Sequence, residues 1–467
     1  MSDGIKLLSA VYNLKMINYI REYLRKLNIK HLIKQPVFKN IMLVMSITLL
    51  MKGVGFYKES VVAATFGLSE LLDTFFIAML VPGFINSVFL GAFRNVFIPN
   101  YVAELKTGNN IASFQGTGFF ITGLVSFLFL VVAYLFTDVY LENFFAGHDQ
   151  AFYDLVKLQF HYVLPCILLW GFSSILSGLL NINGEFRYTS FTSIFTPVSI
   201  IICLWLFQKL LGDSVLAIGT LIGAVLGFLY LLMISLHRKV LSVSLPNFSN
   251  KNAKEMFYQL PAKVSSGFLT GMNGVVDQYF AAQLAVGSIA ALNYGLKMPA
   301  FLSGILIIGI NSVLLPYFSK AVIENKKKTF KLLFKILKSL FIGAAIFSII
   351  AIFTTDFFVQ LFFERNEFTA EDSALVSIIQ KIILAYIPFT IAGMVNVNFL
   401  TSINKNAIMA YVSFGALVIN IILDYILMQY YGIFGIAICT TIVVILKNIV
   451  LFGYTVKLSR QEEILKT

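Results

Sequence analysis

Apolar runs of about twenty residues or more recur along nearly the whole chain, separated by short breaks rich in Gly, Pro, Asn and charge. A run of that length spans the roughly 30 Å hydrocarbon core of a bilayer as an α-helix. Only helices and closed barrels satisfy every backbone polar group there. Hydropathy and punctuation predict twelve helices, near 39–66, 70–105, 113–136, 153–181, 187–210, 215–237, 254–284, 287–321, 329–355, 373–402, 406–430 and 432–457. The first, second and eighth exceed the minimum crossing length, which predicts tilt or kinks. The fold class is therefore an all-α polytopic membrane protein.

The pattern repeats. Pro82 and Pro99 on the second helix are 17 residues apart, as are Pro299 and Pro316 on the eighth, and both pairs share an offset of 217. Each second Pro follows a similar run, NVFIPNY and SVLLPYF. Six helices per half, each half starting on the same side, make the repeat parallel. Two six-helix bundles related by an axis along the membrane normal, around a central cavity, follow. The predicted organisation is a basic amphipathic leader 1–38, bundles 39–237 and 254–457, a linker 238–253 and a tail 458–467.

Charge orients this arrangement. The segment 320–338 carries seven Lys and one Glu, residues 1–39 have eight Lys or Arg, and the linker region holds His237, Arg238, Lys239, Lys251 and Lys254. Alternate loops are acidic: 137–152 has three acids and no Lys or Arg, and 354–373 has five acids and one Arg. The positive-inside rule then puts both termini in the cytoplasm. The leader lacks the apolar core and cleavage site of a signal peptide and is expected on the inner membrane surface.

Composition agrees: 58% of residues are hydrophobic, 12% are charged, and the mean hydropathy is +0.84. The net charge of +12 reflects the basic loops, so a nucleic-acid partner is not expected. Cys166, Cys203 and Cys439 lie in apolar runs without metal spacing. There is no P-loop, and the four His are scattered, so neither an ATP-driven motor nor a metal site is indicated.

The exceptions to apolarity are informative. Lys52, Lys58, Asp73, Asp277 and Lys297 sit within long apolar stretches. Such charges cost about 2.5–3.5 kcal/mol each at mid-bilayer on insertion scales and mark cavities or pathways. Lys52 and Glu59, seven apart, share a face of the first helix, with Lys58 turned away. Asn86 adds a polar group at mid-depth of the second helix. Asp277 and Lys297 flank a short turn at similar distances and are expected to be close enough to pair.

Several motifs carry a resemblance: MKGVGFYKESVVAATFGLSELLDTFFIAMLVPGF, FRNVFIPNYVAEL, LNYGLKMPAFLSGILIIGINSVLLPYFSKA, LFFERNEFTAEDS and NIILDYILMQYYGIFGIAICTTI. Together, in order, they resemble the lipid II flippase family (MurJ/MviN) of the multidrug/oligosaccharidyl-lipid/polysaccharide (MOP) exporter superfamily, over about 40–457. The resemblance implies a V-shaped pair of bundles. It also implies a cavity whose cations hold the pyrophosphate of a polyprenyl-linked sugar. Lys52, Lys58 and Lys297 stand where that family has arginines, Asn86 where it has a fourth, and Asp73 where it has an essential acid. Its peptidoglycan carriers usually add two helices beyond the twelfth, where the predicted helices stop.

The reading is a transporter, not an enzyme. It would flip a polyprenyl-pyrophosphate-linked oligosaccharide, either lipid II or an O-antigen, capsule or exopolysaccharide unit, by alternating access. Lys52, Lys58, Lys297 and Asn86 would bind substrate. Asp73, Asp277 and Glu59 would serve coupling or gating. A monovalent cation or the membrane potential would drive the cycle, and the bilayer and glycan-assembly proteins would be its partners. The competing reading is a cation-coupled multidrug exporter of the same superfamily, which predicts an acid-rich cavity.

Overall fold

The computed structural model describes residues 36–108 and 110–464; most of the leader 1–38 and the last residues of the tail lie outside them. Among the described residues twelve long helices can be followed and no β-sheet forms. They are α1 (Pro36–Phe66), α2 (Glu70–Thr107), α3 (Ile111–Leu135), α4 (Gln150–Ile182), α5 (186–211), α6 (Val215–His237), α7 (Lys251–Ala281), α8 (288–324), α9 (326–363), α10 (Ala370–Ser402), α11 (Asn406–Tyr431) and α12 (Ile433–Ile464). Eight helical segments are long and apolar enough to cross a membrane, and the chain is a multi-pass membrane protein.

Local chemistry sets the boundaries. The side chains of Asn110, Asp149 and Asn250 accept backbone N–H groups at the starts of α3, α4 and α7. Thr369 and Asp372 form a reciprocal capping box on α10. Asn325 has extended backbone (φ −160°, ψ 98°) and separates α8 from α9, its carbonyl side chain accepting from Lys328 N at 2.9 Å. Gly212 and Gly432, with φ of 51° and 55°, end α5 and α11 at matching hairpins. The fourth and tenth helices both break beside a proline, at Pro165 and Pro388.

The second helix is not uniform. Pro82 lies inside it, and residues Asn86–Leu90 form a π-turn. Proline removes one backbone donor and crowds the preceding turn, and a π-turn is one way a helix absorbs such a fault. This bulge packs on Gly267 and Gly271 of α7, where an added Cβ would lie 3.4 Å from Val88 O and 3.1 Å from the Val88 side chain. The small-xxx-small spacing thus lets the two halves approach closely.

The segment 238–250 is docked, not a free tether. Ser244 N donates to Ala112 O (3.0 Å), Ser242 N to Gln115 Oε1 (2.9 Å) and Asn247 N to Thr117 Oγ1 (2.9 Å). Gly116 admits this strap, because a Cβ there would meet Ser244 O at 1.9 Å. We refer below to the basic end, which carries this strap and the α8–α9 kink, and to the acidic end, which carries 137–149 and 364–372.

At the acidic end two glycines let the halves touch. Gly67 has φ +58° and its Cβ would lie 2.4 Å from Glu367 O; Gly287 has φ +87° and its Cβ would lie 2.5 Å from Leu68 O. A side chain at positive φ costs about 1–2 kcal/mol before any clash. Gly67→Ala and Gly287→Ala should each lower the thermal unfolding temperature of the detergent-purified protein. Gly55→Ala, in open space, should not. Equal stability of all three would refute this account of the contact.

Candidate functional site

α1 and α8 face each other across the junction of the halves. One oxygen of Glu59 accepts from Lys58 Nζ at 2.7 Å and from Lys297 Nζ at 2.8 Å. The three side chains are only 12–29% exposed, so the contacts are charge-assisted hydrogen bonds in a partly dry setting. Lys297 Nζ also lies 5.7 Å from the Phe76 ring centroid. Two ammonium groups share one carboxylate, so the cluster carries a surplus positive charge.

That surplus borders a cavity of about 450 Å³ between the halves. Lys58 and Lys297 line it, with Phe76, Phe84 and Trp170 as apolar walls and Ser87, Thr196, Gln278 and Asn293 as polar points. No carboxylate is among its lining residues. The Gln278 Oε1 atom is buried without a partner.

Asp73 takes another role in the geometry. Its carboxylate accepts from Gly287 N at 2.6 Å and from Ala290 N at 2.7 Å, so it caps α8 from the opposite half. A carboxylate at a helix N-terminus satisfies orphan donors and complements the helix dipole. His148 Nε2 sits 3.0 Å from Ala282 O and Glu367 N donates to Ala64 O (3.2 Å) at the same end. The basic end is also joined across the halves: Glu104 accepts from Asn250 (3.0 Å) and Asn252 (2.6 Å), and Asn100 donates to Gln259 (3.2 Å).

The expected pairing of Asp277 with Lys297 does not occur. Lys297 turns to Glu59, whereas Asp277 accepts from Asn420 Nδ2 at 3.0 Å and Thr440 Oγ1 at 2.9 Å. Equal spacing from the turn sets equal depth, but α7 and α8 present these residues to different neighbours. Asn420 also donates to Asp424 at 3.1 Å. Asp424 is fully buried, and neither its Oδ1 nor that of Asn420 has a partner among the described residues.

Lys52 and Asn86 lie apart from the lysine–glutamate cluster. Lys52 Nζ packs on α8, 3.3 Å from where a Cβ on Gly304 would sit, about 9 Å along α1 from Lys58. Asn86 opens the π-turn, and its neighbour Ser87 is the residue that lines the cavity. Sequence reasoning missed Asn420, Thr440, Trp170 and Glu104. The one available signal was the four-residue spacing of Asn420 and Asp424, two polar residues on one helix face.

The family model described as lipid II flippase MurJ matches residues 62–465. The chain belongs to that family. A probable lipid II flippase MurJ of Vibrio cholerae is 26% identical over 443 residues, covering 90% of this chain and 83% of the relative. One from Buchnera aphidicola subsp. Baizongia pistaciae is 24% identical over 373 residues, covering 76% and 71%. Among solved structures, a lipid II flippase MurJ in an inward closed conformation aligns with TM-score 0.77 at 25% identity, over 89% of this chain and 87% of that one. An inward-facing MATE multidrug transporter of the MOP superfamily gives TM-score 0.74 at 13% identity, over 91% and 99%, and so shares the fold. MurJ membership makes the chain a transporter rather than an enzyme, in the superfamily anticipated from its motifs.

The Asp73 cap gives a direct test of this MurJ-family geometry. Hydrogen bonds to a charged group contribute about 1.5–3 kcal/mol each. Asp73→Asn keeps one acceptor oxygen and turns an N–H donor toward a backbone N–H. Asn293→Cys, lining the cavity, should then react faster with an impermeant maleimide than in the Asp73 background. The native cysteines are all buried. Unchanged labelling would show that the cap does not hold this end closed.

Proposed function

We propose that this chain carries lipid II, a polyprenyl-pyrophosphate-linked glycan, across the bacterial inner membrane, with its basic end and both termini cytoplasmic. The Lys58–Glu59–Lys297 bridge is the observation that supports it best. Two cations from different halves converge on a single oxygen at the wall of the shared cavity. A pyrophosphate offers several oxygens and more charge than one carboxylate. It competes with Glu59 for both ammonium groups, and Glu59 serves as internal counter-ion when substrate is absent. Lysine holds phosphate as a point charge, without the paired fork of arginine.

The surroundings fit an amphiphile. On the far side of α1, Gly53, Phe56, Tyr57 and Ser60 line a second, apolar cavity of about 550 Å³ with α8, α9 and α10. α1 thus separates a cationic chamber from an apolar one, as a substrate with a charged head and prenyl tail requires. The central cavity, about 450 Å³, is at the low end of sites for drug-sized ligands, about 300–1,000 Å³. A larger glycan headgroup requires the halves to part. Alternate opening of the Asp73 contacts at one end and the Glu104 contacts at the other provides that motion. The cation-coupled drug exporter is disfavoured by a lining with two lysines and no acid.

For coupling, we assign a monovalent cation to the Asp277–Asp424 cluster. Two carboxylates, Asn420 and Thr440 supply hard oxygen donors there, with two oxygens unpartnered and no Lys or Arg ion-paired to either acid among the described residues. When bound, a monovalent cation offsets one of the two carboxylate charges where α7 meets α11 and α12. The membrane potential is the competing driver.

Vesicles reconstituted with lipid II test both parts. Lys58→Ala with Lys297→Ala should abolish headgroup translocation, while Lys52→Ala should retain more of it. Removing Na⁺ should slow the unmodified protein, and Asp277→Asn with Asp424→Asn should erase that dependence. Translocation unaffected by loss of both Lys58 and Lys297 would refute the binding role. Equal transport of an O-antigen-type polyprenyl-pyrophosphate unit would refute selectivity for lipid II.

A further inference from the structure

We propose that the slot between α9, α10 and α12 binds an anionic glycerophospholipid from the leaflet at the basic end. The slot encloses about 420 Å³ and is separate from the central cavity. Two aromatic pairs stand in its walls: Phe341 meets Phe389 edge-on at 5.1 Å, and Phe334 meets Phe452 at 5.9 Å. Ile342, Ile449 and Phe452 at its rim are exposed, so the slot opens sideways where lipid chains lie.

The polar groups give the occupant a sign. Lys338 lines the slot, is exposed, and makes no ion pair among the described residues. Lys331, seven residues earlier and also exposed, falls on the same helix face. Helical side chains slant toward the N-terminus, and lysine stems run along apolar surface to reach water. Lys338 therefore extends toward the basic end, where the phosphates of that leaflet lie. The segment 320–338, with seven Lys and one Glu, adds an electrostatic preference for anionic lipid.

The second observation is an unpaired donor. Asn396 lines the slot and is 1% exposed; its Oδ1 accepts from Thr455, but its Nδ2 has no partner among the described residues. Buried amide groups are rarely left unpaired, and an orphan points to a missing acceptor. A glycerophospholipid supplies one in an ester carbonyl or phosphate oxygen. The phosphate then sits at Lys338, the ester region near Asn396, and an acyl chain along the paired rings of Phe341 and Phe389.

The test uses the full chain in liposomes with phosphatidylglycerol that bears a photoreactive acyl chain. Saturable labelling of peptides containing Phe341 or Phe389 is expected, displaced by phosphatidylglycerol and not by phosphatidylcholine. Lys338→Gln should weaken competition about tenfold, equivalent to 1.4 kcal/mol, and Ala392→Trp should block labelling by filling the slot. Thermal unfolding identifies any variant that fails to fold, and Lys338→Gln, at an exposed position, carries the test if Ala392→Trp does fail. Labelling elsewhere, equal displacement by the zwitterionic lipid, preferential displacement by a polyprenyl phosphate, or indifference to Lys338→Gln would each overturn the proposal. None of these readouts depends on lipid II translocation.

Discussion

A charge inside a bilayer has to be neutralised by protein, and here the neutralising partner repeatedly comes from the other half of the chain. Glu59 on α1 binds Lys297 on α8, and Asp73 on α2 caps the N-terminus of α8. Removing one member of a buried pair is costly because it leaves its partner uncompensated. The halves are thus tied at the depth where a transporter has to let them separate. Lys58 and Lys297, which line the cavity, are also members of the tie between α1 and α8.

One of the ties joins positions separated by the offset of the sequence repeat. Asp73 and Ala290, which are hydrogen-bonded, differ by 217 residues, the offset that relates Pro82 to Pro299. Each is therefore the repeat counterpart of the other, and near an axis counterparts must meet. Symmetry brings the starts of α2 and α8 together, while the sequence breaks symmetry by placing an acid on one and exposed N–H groups on the other. A carboxylate facing its own symmetry mate would be repulsive; a carboxylate facing a helix N-terminus is stabilised.

The helix faults serve the same junction. Pro82 and the π-turn after it push Val88 toward Gly267 and Gly271, so α2 and α7 pack closely between the cavity and the basic end. The strap 238–250, fastened along α3, fixes where α7 begins. Polar contacts join the first six helices to the last six through Glu104 and Asn100 at one end and Asp73 at the other. Two acids in the second half, Asp277 and Asp424, are held apart from the lysines. The acidic cluster and the lysine cluster thus have different hydrogen-bond partners.

The sequence by itself determined the class, the approximate limits of the long helices and the positions of the polar exceptions Lys58, Asp73, Asp277 and Lys297. It could do so because crossing a bilayer demands long apolar runs and makes every polar exception conspicuous. Its motifs also sufficed for the family. Only tertiary structure decided the partners. Helix period and distance from a turn set a residue's face and depth, but not which of several surrounding helices that face meets. Hence Lys297 finds Glu59 instead of Asp277, Asp277 finds Asn420 and Thr440, and Asp73 finds two backbone N–H groups that have no side-chain signature. Lys52 and Asn86 show the same limit: both are intramembrane polar residues, yet packing puts Lys52 against Gly304 and gives the cavity wall to Ser87.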